Sequence, residues 1–164
     1  GTLAAMKLSI VRHAQAGKKS QWDGDDDDRP LSPLGFAQAR ALGDILPKVR
    51  RVIVSPTVRC HQTMEPLAER LGLPIEEDRA LSKTTSLNRT LALLDELIEQ
   101  ADNVAVCSHG EVLGPLMREL EATGVKLVAG RPVNQKGSVW TIKVTKGDML
   151  KATYRHPPPV SVNS

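Results

Sequence analysis

The sequence predicts an α/β protein: a three-layer sandwich with a mainly parallel central sheet, helices on both faces and an antiparallel hairpin at one edge. Short apolar segments alternate with segments of helical periodicity through most of the chain. The segment "SVWTIKVTKGDMLKATYRH" instead contains two strand-like runs joined around "KGD", which predicts a hairpin turn. Alternation indicates the parallel sheet, and the final pair of strands indicates the antiparallel addition.

Three apolar runs predict buried strands, and a fourth predicts a short strand. Each is bounded by turn or capping residues and is too short for a stable helix. In chain order the four are "KLSIVRH" (7–13), "RVIVS" (51–55), "LPIEE" (73–77) and "NVAVCSH" (103–109).

Four segments between and after these strands have the apolar spacing of amphipathic helices. Two of them open with Ser-Pro, which places a capping side chain and a proline at the helix start. Gly72 predicts the end of the second helix, and Pro115 is expected in the first turns of the fourth. The predicted helices cover 32–46, with Ser32 as N-cap, 55–72, 86–100, with Ser86 as N-cap, and 111–124.

Length and composition predict one domain over residues 6–156. The chain has 164 residues, of which 40% are hydrophobic and 25% charged, and its interior holds neither a linker nor a repeat. Met6 is expected to be the natural start, so residues 1–5 are interpreted as a leftover of cloning. Residues 157–164 are expected to form a tail without packing.

Charge and composition argue against nucleic-acid and membrane partners. The net charge of +3 is small and aromatic residues make up only 2%, which leaves few stacking platforms for bases. No apolar run approaches the ~20 residues that span a bilayer. Cys60 and Cys107 form no CxxC motif. They are expected to be reduced thiols, which predicts a cytoplasmic protein.

Polar side chains follow three of the predicted strands at the point where each strand ends. Arg12 and His13 end the strand predicted at 7–13, and His109 ends the strand predicted at 103–109. Arg59 lies in the first turn of the helix that follows the strand predicted at 51–55. Each has an ordinary explanation as a surface charge or a capped polar residue. Because parallel strands end at the same edge of a sheet, however, we expect all four to meet in one crevice.

Two arginines and two histidines suit a phosphoryl group. Guanidinium groups donate paired hydrogen bonds to phosphate oxygens, and a neutral histidine can attack phosphorus. The second histidine can donate to the oxygens in the transition state. No metal site and no cofactor are predicted, because no third ligand stands at suitable spacing and no Walker loop is present.

Four motifs, "VRHAQAG", "LSPLGFAQAR", "SPTVRCHQT" and "CSHGEVLG", resemble in order those of the histidine phosphatase superfamily. That superfamily includes the phosphoglycerate mutases and the SixA-type phosphohistidine phosphatases. The resemblance implies a phosphoglycerate mutase-like fold with His13 as nucleophile, and Arg12, Arg59 and His109 around the phosphate. The "RHA" variant and the short chain are more similar to the SixA-type branch.

The stretches "VRCHQTMEPLA" and "QKGSVW" also resemble the phosphatase half of actinobacterial MutT-like proteins. Those proteins carry a Nudix domain ahead of the phosphatase. No Nudix signature occurs in this chain, so the resemblance implies the phosphatase unit, with a Nudix protein as a possible functional partner.

The chain departs from the family at the general acid. Lys83 in "RALSKTT" stands where many members have a glutamate, unless Glu76, Glu77 or Asp78 reaches the site instead. Without an acid, phosphohistidine and phosphoanhydrides are better substrates than alkyl phosphates. The sequence therefore predicts a metal-independent phosphatase for phosphohistidine proteins. The alternatives are a phosphatase of nucleotide-type anhydrides, a phosphomutase and a non-catalytic phosphate or phosphopeptide sensor.

Several further residues are weaker candidates. Gln15 is expected to reach a phosphate from its loop, and Glu111 either caps a helix or faces the site. The acidic run 23–28 is most simply a solvated loop; repelling free anions, meeting a basic protein, holding a cation or supplying the acid are its other interpretations. Trp22 either packs this loop or lines the entrance. His61 and His156 are expected outside the site.

Overall fold

The computed structural model describes residues 5–162 and shows seven strands and four helices in that range. Three short helical turns, Lys19–Gln21, Asp26–Asp28 and Arg79–Leu81, lie in the loops. The strands are β1 (Met6–Arg12), β2 (Arg51–Val54), β3 (Ile75–Glu77), β4 (Val104–Ser108), β5 (Lys126–Val128), β6 (Val139–Thr145) and β7 (Asp148–Arg155). The helices are α1 (Pro33–Ile45), α2 (Val58–Leu71), α3 (Leu87–Gln100) and α4 (Gly110–Ala122).

The strands form one sheet in the order β3-β2-β4-β1-β6-β7-β5. Strands β1 to β4 are parallel to one another, whereas β6 is antiparallel to both β1 and β7. The predicted mainly parallel sheet with an antiparallel hairpin is therefore confirmed. The hairpin turns at Lys146 and Gly147, whose φ angles of 53° and 82° suit the tight turn predicted around "KGD".

Helices cover both faces of the sheet, as predicted for a three-layer sandwich. On one face, α3 and α4 pack leucines such as Leu94 and Leu116 against β1, β4 and β6. On the other face, α1 and α2 pack residues such as Leu42 and Met64 against β2 and β4. Both faces of the central strands are thereby buried, which explains their nearly continuous apolar sequences.

Two helix starts differ from the prediction. Helix α2 begins at Val58 after Thr57, not at the Ser-Pro pair. A residue before proline is disfavoured in helical backbone, and the N–H of Ser55 instead donates to Cys107 O at 3.0 Å, which continues the pairing of β2 with β4. Helix α4 begins one residue earlier than predicted, at Gly110, with His109 as N-cap.

Strand β5 was not predicted. It has three residues, too few for a pattern of alternation, and it pairs in parallel with β7 at the edge of the sheet. The hairpin therefore lies between β1 and β5. Within residues 5–162, no helix has the length and apolar character needed to cross a lipid bilayer. Residues 1–4, which belong to the segment interpreted as left over from cloning, lie outside the described part of the chain. The last two residues of the predicted tail, 163 and 164, lie outside it as well.

Candidate active site

The four residues predicted to meet do lie together at the carboxyl ends of the parallel strands. Arg12 ends β1, His13 follows it, Arg59 lies in the first turn of α2 and His109 caps α4. They line one cavity of about 380 Å³. Strands β1 and β4 are hydrogen-bonded neighbours, and His13 N–H donates to Ser108 O at 3.0 Å, so the two histidine-bearing strand ends are held side by side.

His13 is buried and held in one orientation. Its Nδ1 lies 2.8 Å from the carbonyl oxygen of Ala14, which can only accept, so Nδ1 carries the proton and Nε2 keeps its lone pair. Burial lowers the pKa of His13 to about 3, an effect that the Ala14 hydrogen bond opposes and the nearby charges of His109 and Arg59 reinforce. The ring is therefore neutral near pH 7, the state that a nucleophile requires.

His109 faces His13 across the cavity. The two ring centroids are 5.3 Å apart, with an angle of 63° between the planes. Nε2 of His109 lies 2.8 Å from the hydroxyl of Ser55 and 3.8 Å from Sγ of Cys60. These neighbours leave Nδ1 as the ring nitrogen that remains for a ligand.

Arg12 is held by backbone groups and by a close approach to Gly110. Its Nη1 donates to the carbonyl oxygen of Asn134 at 2.7 Å. A Cβ atom on Gly110 would lie 2.9 Å from Cζ of Arg12, closer than carbon atoms normally approach. Burial lowers the pKa of Arg12 while Glu111 acts against it. The absence of a side chain at Gly110 therefore permits this guanidinium to lie over the start of α4.

Arg59 is almost completely buried, and both of its terminal nitrogens contact Asp26. Nη1 donates to the backbone carbonyl oxygen of Asp26 at 2.7 Å, and Nη2 donates to its Oδ2 at 3.1 Å. Among the described residues, the buried Nε of Arg59 has no hydrogen-bond partner, and neither has the buried Nε of Arg12. Each guanidinium thus retains an unused donor, which fits the binding of an oxyanion.

Positive charge predominates around the cavity. Its lining includes seven lysines and arginines and two carboxylates. Burial, together with the nearby charges of Arg12, Arg29 and Arg59, lowers the pKa of Lys136. The cationic residues are Arg12, Lys18, Lys19, Arg29, Arg59, Lys83 and Lys136, and the acidic ones are Asp26 and Glu111.

Asp26 is the centre of an ion-pair cluster inside the cavity. Its Oδ2 accepts from Nη2 of Arg59 and from Nζ of Lys83, and its Oδ1 accepts from Nε of Arg29 at 3.0 Å. The hydrogen bond from Lys83 is the largest of several effects that hold the pKa of Asp26 well below its usual value. The other aspartates of the acidic run are exposed, so the interpretation as a solvated loop holds for them but not for Asp26.

Three of the weaker candidates lie at the cavity. Gln15, Lys83 and Glu111 line the cavity. Oε1 of Gln15 accepts a hydrogen bond from Ser32 at 2.9 Å, and Glu111 is exposed in the first turn of α4.

The three carboxylates considered as a replacement acid are engaged elsewhere and are not among the cavity residues. Glu76 pairs with Arg51, Glu77 with His61, and Asp78 accepts from the N–H of Ala80. Each is therefore committed to a local role outside the cavity.

Other residues considered earlier also lie outside the cavity. His156 hydrogen-bonds to Gln135 at the surface. Exposed Trp22 donates from Nε1 to Asp25 O and so packs the acidic loop. Cys60 and Cys107 are both free and buried. Within residues 5–162, histidine, cysteine, aspartate and glutamate side chains nowhere gather in threes as they would around a metal ion.

The sequence did not single out several cavity residues. Lys18, Lys19, Arg29 and Lys136 carry no pattern that separates them from surface charges. Ser55, which contacts His109 but does not line the cavity, was predicted only as the end of a strand and the start of a helix. Basic residues on both sides of the acidic run were the available signal for the cluster around Asp26.

A cavity of this kind, with two histidines and two arginines at the ends of parallel strands, defines a site for phosphoryl groups. Comparison with known proteins agrees. The model of the histidine phosphatase superfamily (branch 1) matches residues 8–85. Phosphohistidine phosphatase SixA of Escherichia coli is 30% identical over 122 residues, which are 70% of this chain and 74% of SixA. The chain belongs to the histidine phosphatase superfamily.

Two further relatives extend this result. The 8-oxo-(d)GTP phosphatase of Mycolicibacterium smegmatis is 34% identical over 154 residues, 91% of this chain. The chain spans about half of that relative, 48% of its length. The structure of SixA complexed with tungstate superposes with a TM-score of 0.72 at 25% identity, covering 92% of this chain and 95% of SixA. The predicted phosphoglycerate mutase-like fold is thereby confirmed.

Proposed function

We propose that the chain hydrolyses phosphoanhydrides of the nucleotide type through a phosphohistidine at His13. The lone pair of Nε2 forms a bond to phosphorus while the bond to the leaving oxygen breaks, and its electrons stay on the leaving group. Water then attacks phosphorus, the electrons of the N–P bond return to Nε2, and a proton passes to solvent. The orientation and neutrality of His13 support this role.

Arg12, Arg59 and His109 are proposed to hold the phosphoryl oxygens. Two buried guanidinium N–H groups without partners can donate to equatorial oxygens. Nδ1 of His109 can donate to a third oxygen as charge develops in the transition state. Gln15 and Glu111 line the same cavity and are proposed to contact substrate at its margin.

The positive charge around the cavity is the reason for placing phosphoanhydrides first among the substrates. An alkoxide leaving group needs a proton, but Asp26 is held in its ionised form by Lys83, Arg29 and Arg59. By the family resemblance, Lys83 stands where many members have a glutamate. A phosphate or nucleotide leaves as an anion, which lysines and arginines stabilise directly. Similarity to an 8-oxo-(d)GTP phosphatase supports this assignment.

Phosphohistidine proteins are the second candidate, and the sequence analysis placed them first. Similarity to SixA in sequence and in fold favours them. Phosphoimidazole is protonated by solvent and needs no acid from the protein. Protonation makes the ring of the bound phosphoimidazole cationic before the P–N bond breaks, however, and seven nearby cations oppose that charge. We therefore place the anhydride first.

The proposal also includes the cellular compartment and a functional partner. The two free thiols favour the cytoplasm. The resemblance to the phosphatase half of Nudix fusions favours a Nudix protein as a functional partner, whose reaction supplies a phosphorylated nucleotide.

Phosphate release from three substrates tests the proposal: a nucleoside diphosphate, a phosphohistidine protein and p-nitrophenyl phosphate, all with chelator present. We expect fastest release from the diphosphate and at least a ~10³-fold loss in His13→Ala. His61→Ala is the matched control, because this histidine pairs with Glu77 outside the cavity and should leave the rate unchanged.

Each other outcome has a distinct meaning. Fastest release from the phosphohistidine protein would establish the second candidate. Transfer of phosphate back to a bound product would indicate a mutase. Binding of phosphate without release from any substrate, and without acid-labile labelling, would overturn catalysis in favour of a sensor.

A further inference from the structure

The carboxylate of Asp26 occupies a place in the cavity that suits a more highly charged anion. It contacts cationic groups from three separate parts of the chain: Arg29 in its own loop, Arg59 in α2 and Lys83 before α3. One negative charge therefore faces three positive charges. The side chain is 19% exposed, so these charges are largely shielded from solvent.

This place adjoins the proposed phosphoryl position through a shared residue. Arg59 binds Asp26 through Nη1 and Nη2, while its Nε has no partner among the described residues. One guanidinium can thus contact two anions at once. Neighbouring phosphates of an anhydride share one bridging oxygen, so two linked phosphates can lie against one arginine.

The side chain of Asp26 can move away from the three cations when a ligand binds there. Its short helical turn, Asp26–Asp28, is held by local contacts such as Asp27 N–H to Oδ1 of Asp25 at 3.0 Å, and by Arg59 through the backbone carbonyl of Asp26, which does not involve the carboxylate. The neighbouring residues Asp25, Asp27 and Asp28 are exposed. Moving the Asp26 side chain therefore requires no change in the packed core.

We propose that Arg29, Arg59 and Lys83 form a second anion subsite, which Asp26 fills in this structure and the non-transferred phosphate of a phosphoanhydride takes when substrate binds. The inference rests on the proposed function, because it assigns a place to the phosphate that leaves. Asp26 then competes with the substrate: it keeps the cations together in the free protein and discriminates against ligands with a single phosphate.

Binding measurements test the subsite without relying on catalysis. Methylenediphosphonate, whose P–C–P link is not hydrolysed, and inorganic phosphate are titrated into the protein by calorimetry. Asp26→Asn keeps the backbone carbonyl that Arg59 contacts but removes the competing charge. We expect this variant to bind the diphosphonate about tenfold more tightly, and phosphate at most about twofold more tightly.

Two further variants sharpen the result. Asp28→Asn is the matched control: it removes the same charge from the same turn, but Asp28 is exposed and is not a lining residue of this cavity, so neither affinity should change. Adding Lys83→Met to Asp26→Asn should cancel the gain for the diphosphonate and leave phosphate binding close to that of Asp26→Asn alone.

The outcomes separate the subsite from a purely structural role. If Asp26 only fastens Arg59, Asp26→Asn weakens both ligands. If it only sets the local potential, both ligands gain in proportion to their charges, and adding Lys83→Met weakens both. Either result overturns the subsite. The proposed function is tested separately, by phosphate release. If phosphate is released but the ratio of the two affinities does not change in Asp26→Asn, the proposed function stands and the subsite is wrong. If the ratio changes but no phosphate is released, the subsite stands and the proposed function is wrong.

Discussion

The hydroxyl of Ser55, the residue after β2, lies 2.8 Å from Nε2 of His109, the N-cap of α4. Ser55 is completely buried. When the hydroxyl donates to Nε2, the proton of the neutral ring resides on Nδ1. Under the proposed function, Nδ1 is then the nitrogen that donates to a phosphoryl oxygen. Ser55 is accordingly a positioning residue for His109.

Removing this hydroxyl should impair the chemical step more than substrate binding. In Ser55→Ala, the ring can place its proton on either nitrogen, and we expect kcat to fall about tenfold with little change in KM. Ser55→Thr, which keeps the hydroxyl, should recover most of the rate. Ser9→Ala is the control, since Ser9 is equally buried on β1 but its hydroxyl has no hydrogen-bond partner among the described residues. A Ser55→Ala enzyme with normal kcat would contradict the assignment.

Two glycines of α4 should respond differently to the same substitution. A Cβ on Gly110 would lie 2.9 Å from Cζ of Arg12, whereas one on Gly114 would lie 3.5 Å from the flexible Arg118 Nη1. Gly110→Ala should displace the guanidinium and lower kcat/KM about 10²-fold.

Gly114→Ala should leave activity intact and stabilise the helix by about 0.5–1 kcal/mol. Steady-state kinetics and urea unfolding on both variants make the comparison. Equal activity in the two variants would show that Arg12 does not depend on the bare backbone at Gly110.

Much of the fold was predictable from local patterns. Ser32 and Ser86 cap helices as predicted, each accepting a hydrogen bond from the N–H three residues later, and Gly72 ends α2 in the left-handed conformation. Strand β5 was not predictable in this way, because three residues paired with a strand more than twenty positions away form no local pattern.

The site shows the same division. Arg12, His13 and His109 follow strand ends, so the parallel sheet brings them together by topology alone. Asp26 gave no such signal. It is one of five aspartates in its run, and only the folded positions of Arg29, Arg59 and Lys83 distinguish it from the exposed others.

A glycine in α1 should be essential for the loop that follows β1. A Cβ on Gly35 would lie 1.8 Å from the carbonyl oxygen of Gln15, a backbone atom that is fixed by hydrogen bonds from Ser32. We expect Gly35→Ala to reduce the free energy of unfolding by about 2–3 kcal/mol.

Gly17→Ala provides the comparison for that measurement in urea unfolding. A Cβ on Gly17 would meet nothing within 4 Å, so this variant should change stability by less than about 0.5 kcal/mol. A tolerated Gly35→Ala would mean that α1 can move away from the loop at little cost.

The low pKa of His13 links acid stability to the nucleophile. Burial is its main cause and lowers the value to about 3, whereas a histidine in the unfolded chain titrates near 6.5. Between these two pH values the unfolded chain binds a proton that the folded protein does not. The free energy of unfolding should therefore be fully maintained above about pH 6.5 and should fall as the pH drops towards 3.

Replacing His13 should remove this dependence. Between pH 7 and 4.5, we expect the unfolding free energy of the unmodified protein to fall about 2 kcal/mol more than that of His13→Gln, measured in urea at both pH values. The ring resonance of His13, assigned by its absence in the variant, should keep its neutral position down to pH 4.5. A midpoint near 6.5 would mean that the ring is solvated and protonated, and it would remove the physical basis for a neutral nucleophile at low pH.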